Sequence, residues 1–214
     1  MARLFGPADT TRFRLILLLA PIAFGILVTI YAFVYRNSYY TRESNHIEQP
    51  VPFSHAHHVG GLGIDCRYCH TSVETSAFAG MPATATCMRC HSIIWADSPM
   101  LEPVRASYRT GIPIRWTRVY DLPDYVYFNH SIHIAKGIGC KTCHGHIDQM
   151  PLTAKNESLH MRWCVGCHRS PRAHMGPVDK VFDLSYDPAD HPSRQLVKLD
   201  LAQSARDDCW ICHR

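Results

Sequence analysis

All ten cysteines of this 214-residue chain fall into one pattern, C-x-x-C-H, which occurs five times. The triplets are Cys66, Cys69 and His70; Cys87, Cys90 and His91; Cys140, Cys143 and His144; Cys164, Cys167 and His168; and Cys209, Cys212 and His213. Shuffling this composition would give about 0.03 such motifs, so chance is excluded. The pattern is the signature of covalent c-type haem attachment. Two thiols three positions apart can each add to one vinyl group of the same porphyrin, which leaves the next residue, histidine, beneath the iron as the proximal ligand. A disulfide framework has no need of a histidine after every second cysteine. Zinc ribbons pair two C-x-x-C units, and five units pair badly. The sequence therefore predicts five covalently bound haem c groups, attached outside the cytoplasmic membrane.

The N-terminus points to the same compartment. Residues 15 to 35, "LILLLAPIAFGILVTIYAFVY", carry no charge over 21 positions, roughly 31 Å as a helix and enough to cross a bilayer. Pro21 lies inside, where a membrane helix tolerates it. Arg3, Arg12 and Arg14 come before it, which leaves the N-terminus cytoplasmic and the rest of the chain outside, at the inner membrane. The apolar stretch is too long for a signal-peptide core, and the expectation is an uncleaved, single-pass anchor. The formal charge of +4 is misleading. Ten propionates against five ferric porphyrins bring the oxidised protein to about −1 and the reduced one to about −6. Nothing in the chain reads as a nucleic-acid-binding patch.

Behind the anchor, about 160 residues carry five haems, too little chain to build a large apolar core without the porphyrins. The expected fold is mainly helical and irregular, with short helices at the attachment motifs and little or no sheet. Fourteen prolines and twelve glycines agree. The sequence also repeats itself. "PFSHAHHVGGLGIDCRYCH" aligns with "YFNHSIHIAKGIGCKTCH", and Met-Pro-x-Thr recurs at residues 81 and 150. The repeat covers residues 53–100 and 128–214. The organisation predicted is 1–40, N-terminal tail and anchor; 41–100, a dihaem module; 101–127, a linker; and 128–214, a trihaem module.

Five proximal histidines leave ten others. Each module opens with Phe-x-His-x-x-His, and residues at i and i+3 emerge on nearly the same face of a helical turn. One short segment can thus reach two neighbouring irons. These segments resemble those of the trihaem cytochrome c7 and tetrahaem cytochrome c3 family. In that family the first histidine ligates the haem of the next motif and the second ligates the haem after it. A later histidine, four residues before a motif, serves the following haem. His160 stands four residues before Cys164, and the matching position in the first module is Ala83. The resemblance implies the axial pairs His70/His55, His91/His58, His144/His130, His168/His133 and His213/His160. His57 is a rival to His58, which the repeat favours, and Met100 and Met175 are rivals as distal ligands. His46, His146, His174 and His191 are expected at the surface or against propionates.

With the anchor, the motif count and the run "IPIRWTRVYDLPDYVYFNHSIH", the whole chain resembles the pentahaem cytochrome subunits of bacterial alternative complex III. That resemblance implies an electron-transfer subunit with no catalytic residues of its own. Its partners would be iron–sulfur and integral-membrane subunits of a quinol-oxidising complex. A monohaem cytochrome c or a terminal oxidase would accept the electrons. The alternative is an anchored multihaem quinol dehydrogenase or reductase with its own site. Quinol dehydrogenases of the tetrahaem type carry a methionine two residues after the first motif's histidine, where this chain has Thr71-Ser72. A reductase needs an iron with an open position.

Overall fold

The structure, a computed structural model, describes residues 6–189 and 208–213. Arg3 and His191 lie outside the described residues. The chain divides into two compact units, Met1–Arg42 and Glu43–Arg214.

The first unit is dominated by one helix, Pro7–Arg36, of 30 residues. Pro7 starts it where a missing N–H costs nothing, and the Asp9 carboxylate accepts a hydrogen bond from Gly6 N at 3.3 Å, closing the first turn. Pro21 sits inside the helix, and none of the helix is buried. By length and composition it can cross a membrane. Tyr31 and Tyr35 stack near its end at 6.0 Å, with Tyr40 against Tyr35 at 5.5 Å.

The second unit is built of short helices joined by irregular backbone. Among its described residues there is no strand, only four isolated bridges. The helices Cys66–Cys69, Thr84–His91, Cys140–His144, Met161–Arg169 and Cys209–Cys212 each carry one attachment motif. A helical turn brings positions 1, 4 and 5 of C-x-x-C-H to one side, the side on which a porphyrin would lie. The mainly helical and irregular fold expected from the sequence is the one observed.

The apolar core is sparse, as the shortage of chain requires. One cluster joins Val51, Leu101 and Val104 with Cys87, Met88, Ile114 and Trp116. Val104 belongs to the helix Glu102–Thr110, inside the stretch read as a linker. Gly111, with φ +72°, ends that helix in the left-handed conformation that glycine adopts without strain. A second cluster joins Val73, Ile134 and Val181 with Ala79, Cys140 and Phe182.

Candidate functional site

The two Phe-x-His-x-x-His segments have nearly the same geometry. Phe53 meets His55 edge-on at 4.9 Å and stacks on His58 at 4.4 Å. Phe128 meets His130 edge-on at 4.8 Å and stacks on His133 at 4.4 Å. The phenyl ring is wedged against both imidazoles and holds them apart at a fixed angle. His58 Nδ1 then donates to the Ser54 carbonyl at 2.8 Å, and His133 Nδ1 to the Asn129 carbonyl at 2.7 Å, each four residues back.

Three of these rings, His58, His130 and His133, each lie near a motif histidine. His58 and His91 have ring centres 6.1 Å apart, His130 and His144 6.4 Å, and His133 and His168 6.2 Å. An imidazole nitrogen binds a first-row metal at roughly 2 Å and lies about 1 Å from its ring centre. Two imidazoles on opposite sides of one iron therefore have centres about 6 Å apart. The three pairs fit that spacing. Among the described residues, no three His, Cys, Asp or Glu side chains converge on one point as a direct metal site would require. The rings face each other across a gap.

The remaining ring nitrogens are oriented for the same purpose. His70 Nδ1 donates to the Gly80 carbonyl at 2.7 Å, His91 to Ile94 at 3.0 Å, His130 to Ala77 at 2.8 Å and His213 to Tyr125 at 3.3 Å. His55 Nδ1 bonds the Thr153 hydroxyl at 3.0 Å. A proton held on Nδ1 leaves the Nε2 lone pair for a metal and raises the basicity of the ligand. Burial pushes His55 and His144 down to about 4, so both are neutral at physiological pH.

His55 lies close enough to His70 for the two to oppose each other's protonation. His160 is the residue at the start of the helix Met161–Arg169, with φ −65° and ψ 150°, and Ala83 holds the same place before Thr84–His91 with φ −60° and ψ 145°. The cysteines Cys209 and Cys212 with His213 sit beside the segment ahead of Phe128. Tyr127 N donates to the Cys212 carbonyl at 2.8 Å, and Tyr125 stacks on His213 at 5.7 Å.

Of the rivals, His57 lies parallel to Trp95 at 6.1 Å, turned to the indole. Met175 is buried and Met100 is half exposed. His46 Nδ1 bonds the Leu152 carbonyl at 2.9 Å, and His146 lies 3.7 Å from Asp148.

Several supporting residues escaped the sequence reading. Tyr120 donates its hydroxyl to the Cys143 carbonyl at 3.1 Å, accepts from Asn156 N at 2.9 Å and sets its ring edge-on to His144 at 4.4 Å. Burial raises its phenol to about 12. Thr153 had one available signal, its place in the repeated Met-Pro-x-Thr; the counterpart Thr84 bonds Ser107 instead, at 2.8 Å. The carbonyls of Ala77, Gly80 and Ile94 had none, because any residue has a carbonyl.

Residues 126–214 match the family described as cytochrome c7 and related cytochrome c. The chain is also 39% identical over 98 residues to the "Menaquinone reductase, multiheme cytochrome c subunit" of Nitratidesulfovibrio vulgaris. That match covers 45% of this chain and 46% of the relative, so it spans just under half of the relative's length. The C-terminal part of the chain, residues 126–214, is thus similar to cytochrome c7 and related multihaem cytochromes c.

Proposed function

We propose that this chain is a membrane-anchored pentahaem cytochrome c that relays electrons from a quinol-oxidising complex of the alternative complex III type toward a periplasmic carrier or terminal oxidase. The observation that carries the reading is the spacing of the histidine pairs, 6.1 to 6.4 Å between ring centres. It supports three irons closed on both faces by protein, which suits a relay.

In this reading Cys66/Cys69, Cys87/Cys90, Cys140/Cys143, Cys164/Cys167 and Cys209/Cys212 hold five haem c groups. His70, His91, His144, His168 and His213 are the proximal ligands. His55, His58, His130, His133 and His160 are their distal partners, in that order. When bound, each haem supplies a one-electron ferric–ferrous couple tuned by its axial ligands and their hydrogen bonds. The protein's part is to hold geometry. Phe53 and Phe128 fix the ring angles, backbone carbonyls fix the tautomers, and the Nδ1 proton stays where it is through each cycle. Ligands already in place keep reorganisation small, the condition for fast transfer. The N-terminal helix would hold the second unit at the outer face of the membrane, with Arg12 and Arg14 on the cytoplasmic side.

The relative's name favours a second direction of flow, from the haems into a quinone-reducing complex. One experiment addresses both. Gentle detergent extraction should yield this chain with iron–sulfur and integral-membrane partners. Quinol added to that assembly should reduce all the haems, whereas the isolated chain should be reduced only slowly. Native-rate reduction of the isolated chain by quinol would overturn the relay reading. An assembly that oxidises its haems with quinone, yet fails to reduce them with quinol, would select the second direction.

A further inference from the structure

We infer that the two modules join head to head through their first haem sites, so that the sites run second, first, third, fourth along the molecule instead of following the chain. The inference rests on the ligand assignment proposed above and concerns which sites are neighbours.

Each histidine segment is anchored on the other module. The His130 main-chain N and ring Nδ1 both donate to the Ala77 carbonyl, at 3.2 and 2.8 Å, and Ser131 N donates to the Ser76 carbonyl at 3.2 Å. Ser76 and Ala77 lie in the loop that follows His70. In return, Ala56 N donates to the Met150 carbonyl at 3.0 Å and His55 bonds Thr153 at 3.0 Å. Met150 and Thr153 lie in the loop that follows His144. The exchange is reciprocal: the distal histidine of each first site is held by the loop leaving the other first site.

Apolar packing follows the same seam. Val73 and Ala79, after the first motif, share a cluster with Ile134, Cys140 and Val181. At Gly60 the two backbones approach so closely that a Cβ would collide with the Asp148 carbonyl. The second site is oriented elsewhere. Cys87 and Met88 pack against Val51, Leu101, Val104, Ile114 and Trp116, all between residues 51 and 116.

A redox-coupling measurement on the holoprotein tests this. His130→Ala opens the third site to carbon monoxide, which holds that iron ferrous. One positive charge is then missing, and the nearest haem becomes harder to reduce. His55→Met marks the first haem, and His58→Met the second, by the spectrum of histidine–methionine ligation. In His55→Met/His130→Ala, carbon monoxide should lower the midpoint of the marked haem. In His58→Met/His130→Ala the marked haem should not move. A larger shift at the haem marked by His58→Met, or no shift at either, overturns the inference. Absence of the methionine signature, or of carbon monoxide binding, instead overturns the ligand assignment beneath it.

Thr153→Val provides a second measurement that leaves His130 intact. Although Thr153 lies in the second module, its loss should shift the midpoint of the first haem, with wild-type behaviour in Thr153→Ser. No shift in Thr153→Val, while His55→Ala still opens one haem to carbon monoxide, would overturn the head-to-head junction.

Discussion

The two Phe-x-His-x-x-His segments differ by one residue, and the fold absorbs it. From His58 to Cys66 is eight positions, and from His133 to Cys140 is seven. In the first module the stretch Ala56–Gly61 is a π-helix; in the second, His130–Ala135 is an ordinary α-helix. Both routes deliver the same closing hydrogen bond. Ile64 N donates to the His58 carbonyl at 3.1 Å, and Ile138 N to the His133 carbonyl at 3.0 Å. The glycines before them, Gly63 at φ +66° and Gly137 at φ +78°, turn the chain alike into the next motif. A π-turn is the local answer to an inserted residue, and sites of function are where such turns are kept. The lesson is that the imidazole pair and the motif are held in register while the backbone between them adjusts.

The sharpest way to break this likeness is to remove one site from each module. Cys140→Ala/Cys143→Ala and Cys87→Ala/Cys90→Ala should each lose one covalent haem by mass. The first should also melt roughly 10 °C lower than the second, about 3 kcal/mol for a chain of this size. Cys140 packs in the cluster shared by both modules, and Cys87 does not.

A smaller effect distinguishes the modules at the start of their motif helices, where one has His160 and the other Ala83. His160→Ala should keep all five haems attached while opening one iron to carbon monoxide, seen as a new high-spin signal. His174→Ala should leave every haem low-spin. The opposite pattern would reassign the distal ligand of the C-terminal haem.

Gly60 and Ala135 hold the same position in the repeat. Gly60→Ala forces a methyl against the Asp148 carbonyl and should cost about 2 kcal/mol in denaturant unfolding. Ala135→Gly, at the end of a helix, should cost only about 0.5–1 kcal/mol. Equal costs would mean that the close approach at Gly60 is not a constraint on the fold.

The smallest contrast is at the caps. The Asn129 carboxamide oxygen accepts from Ile132 N at 3.4 Å and Ser131 Oγ at 2.8 Å, so Asn129→Ala should lose about 1 kcal/mol. Among the described residues Ser54 Oγ accepts from His57 N alone, at 3.1 Å, and Ser54→Ala should cost about half as much. Urea midpoints at unchanged slope would measure both.

By itself the sequence determined the features that are local. Five motifs, a charge-free helix and histidines three apart all act within a turn or two of chain. Covalent spacing and helical periodicity therefore make them readable without coordinates. The repeat alone matches His58, not His57, to His133, and the His58 ring lies 6.1 Å from that of His91. Tertiary structure decided what depends on distant backbone. That Ala77 accepts from His130 and Thr153 meets His55 follows from two modules exchanging loops 53 and 98 residues apart in sequence. Carbonyls are the commonest acceptors in any chain, so no residue type announces which one will fix an imidazole. Tyr120 looked like part of a connecting segment until packing put its hydroxyl on Cys143. The candidate histidines are legible in the sequence; the hydrogen bonds that aim them become visible only when the chain closes on itself.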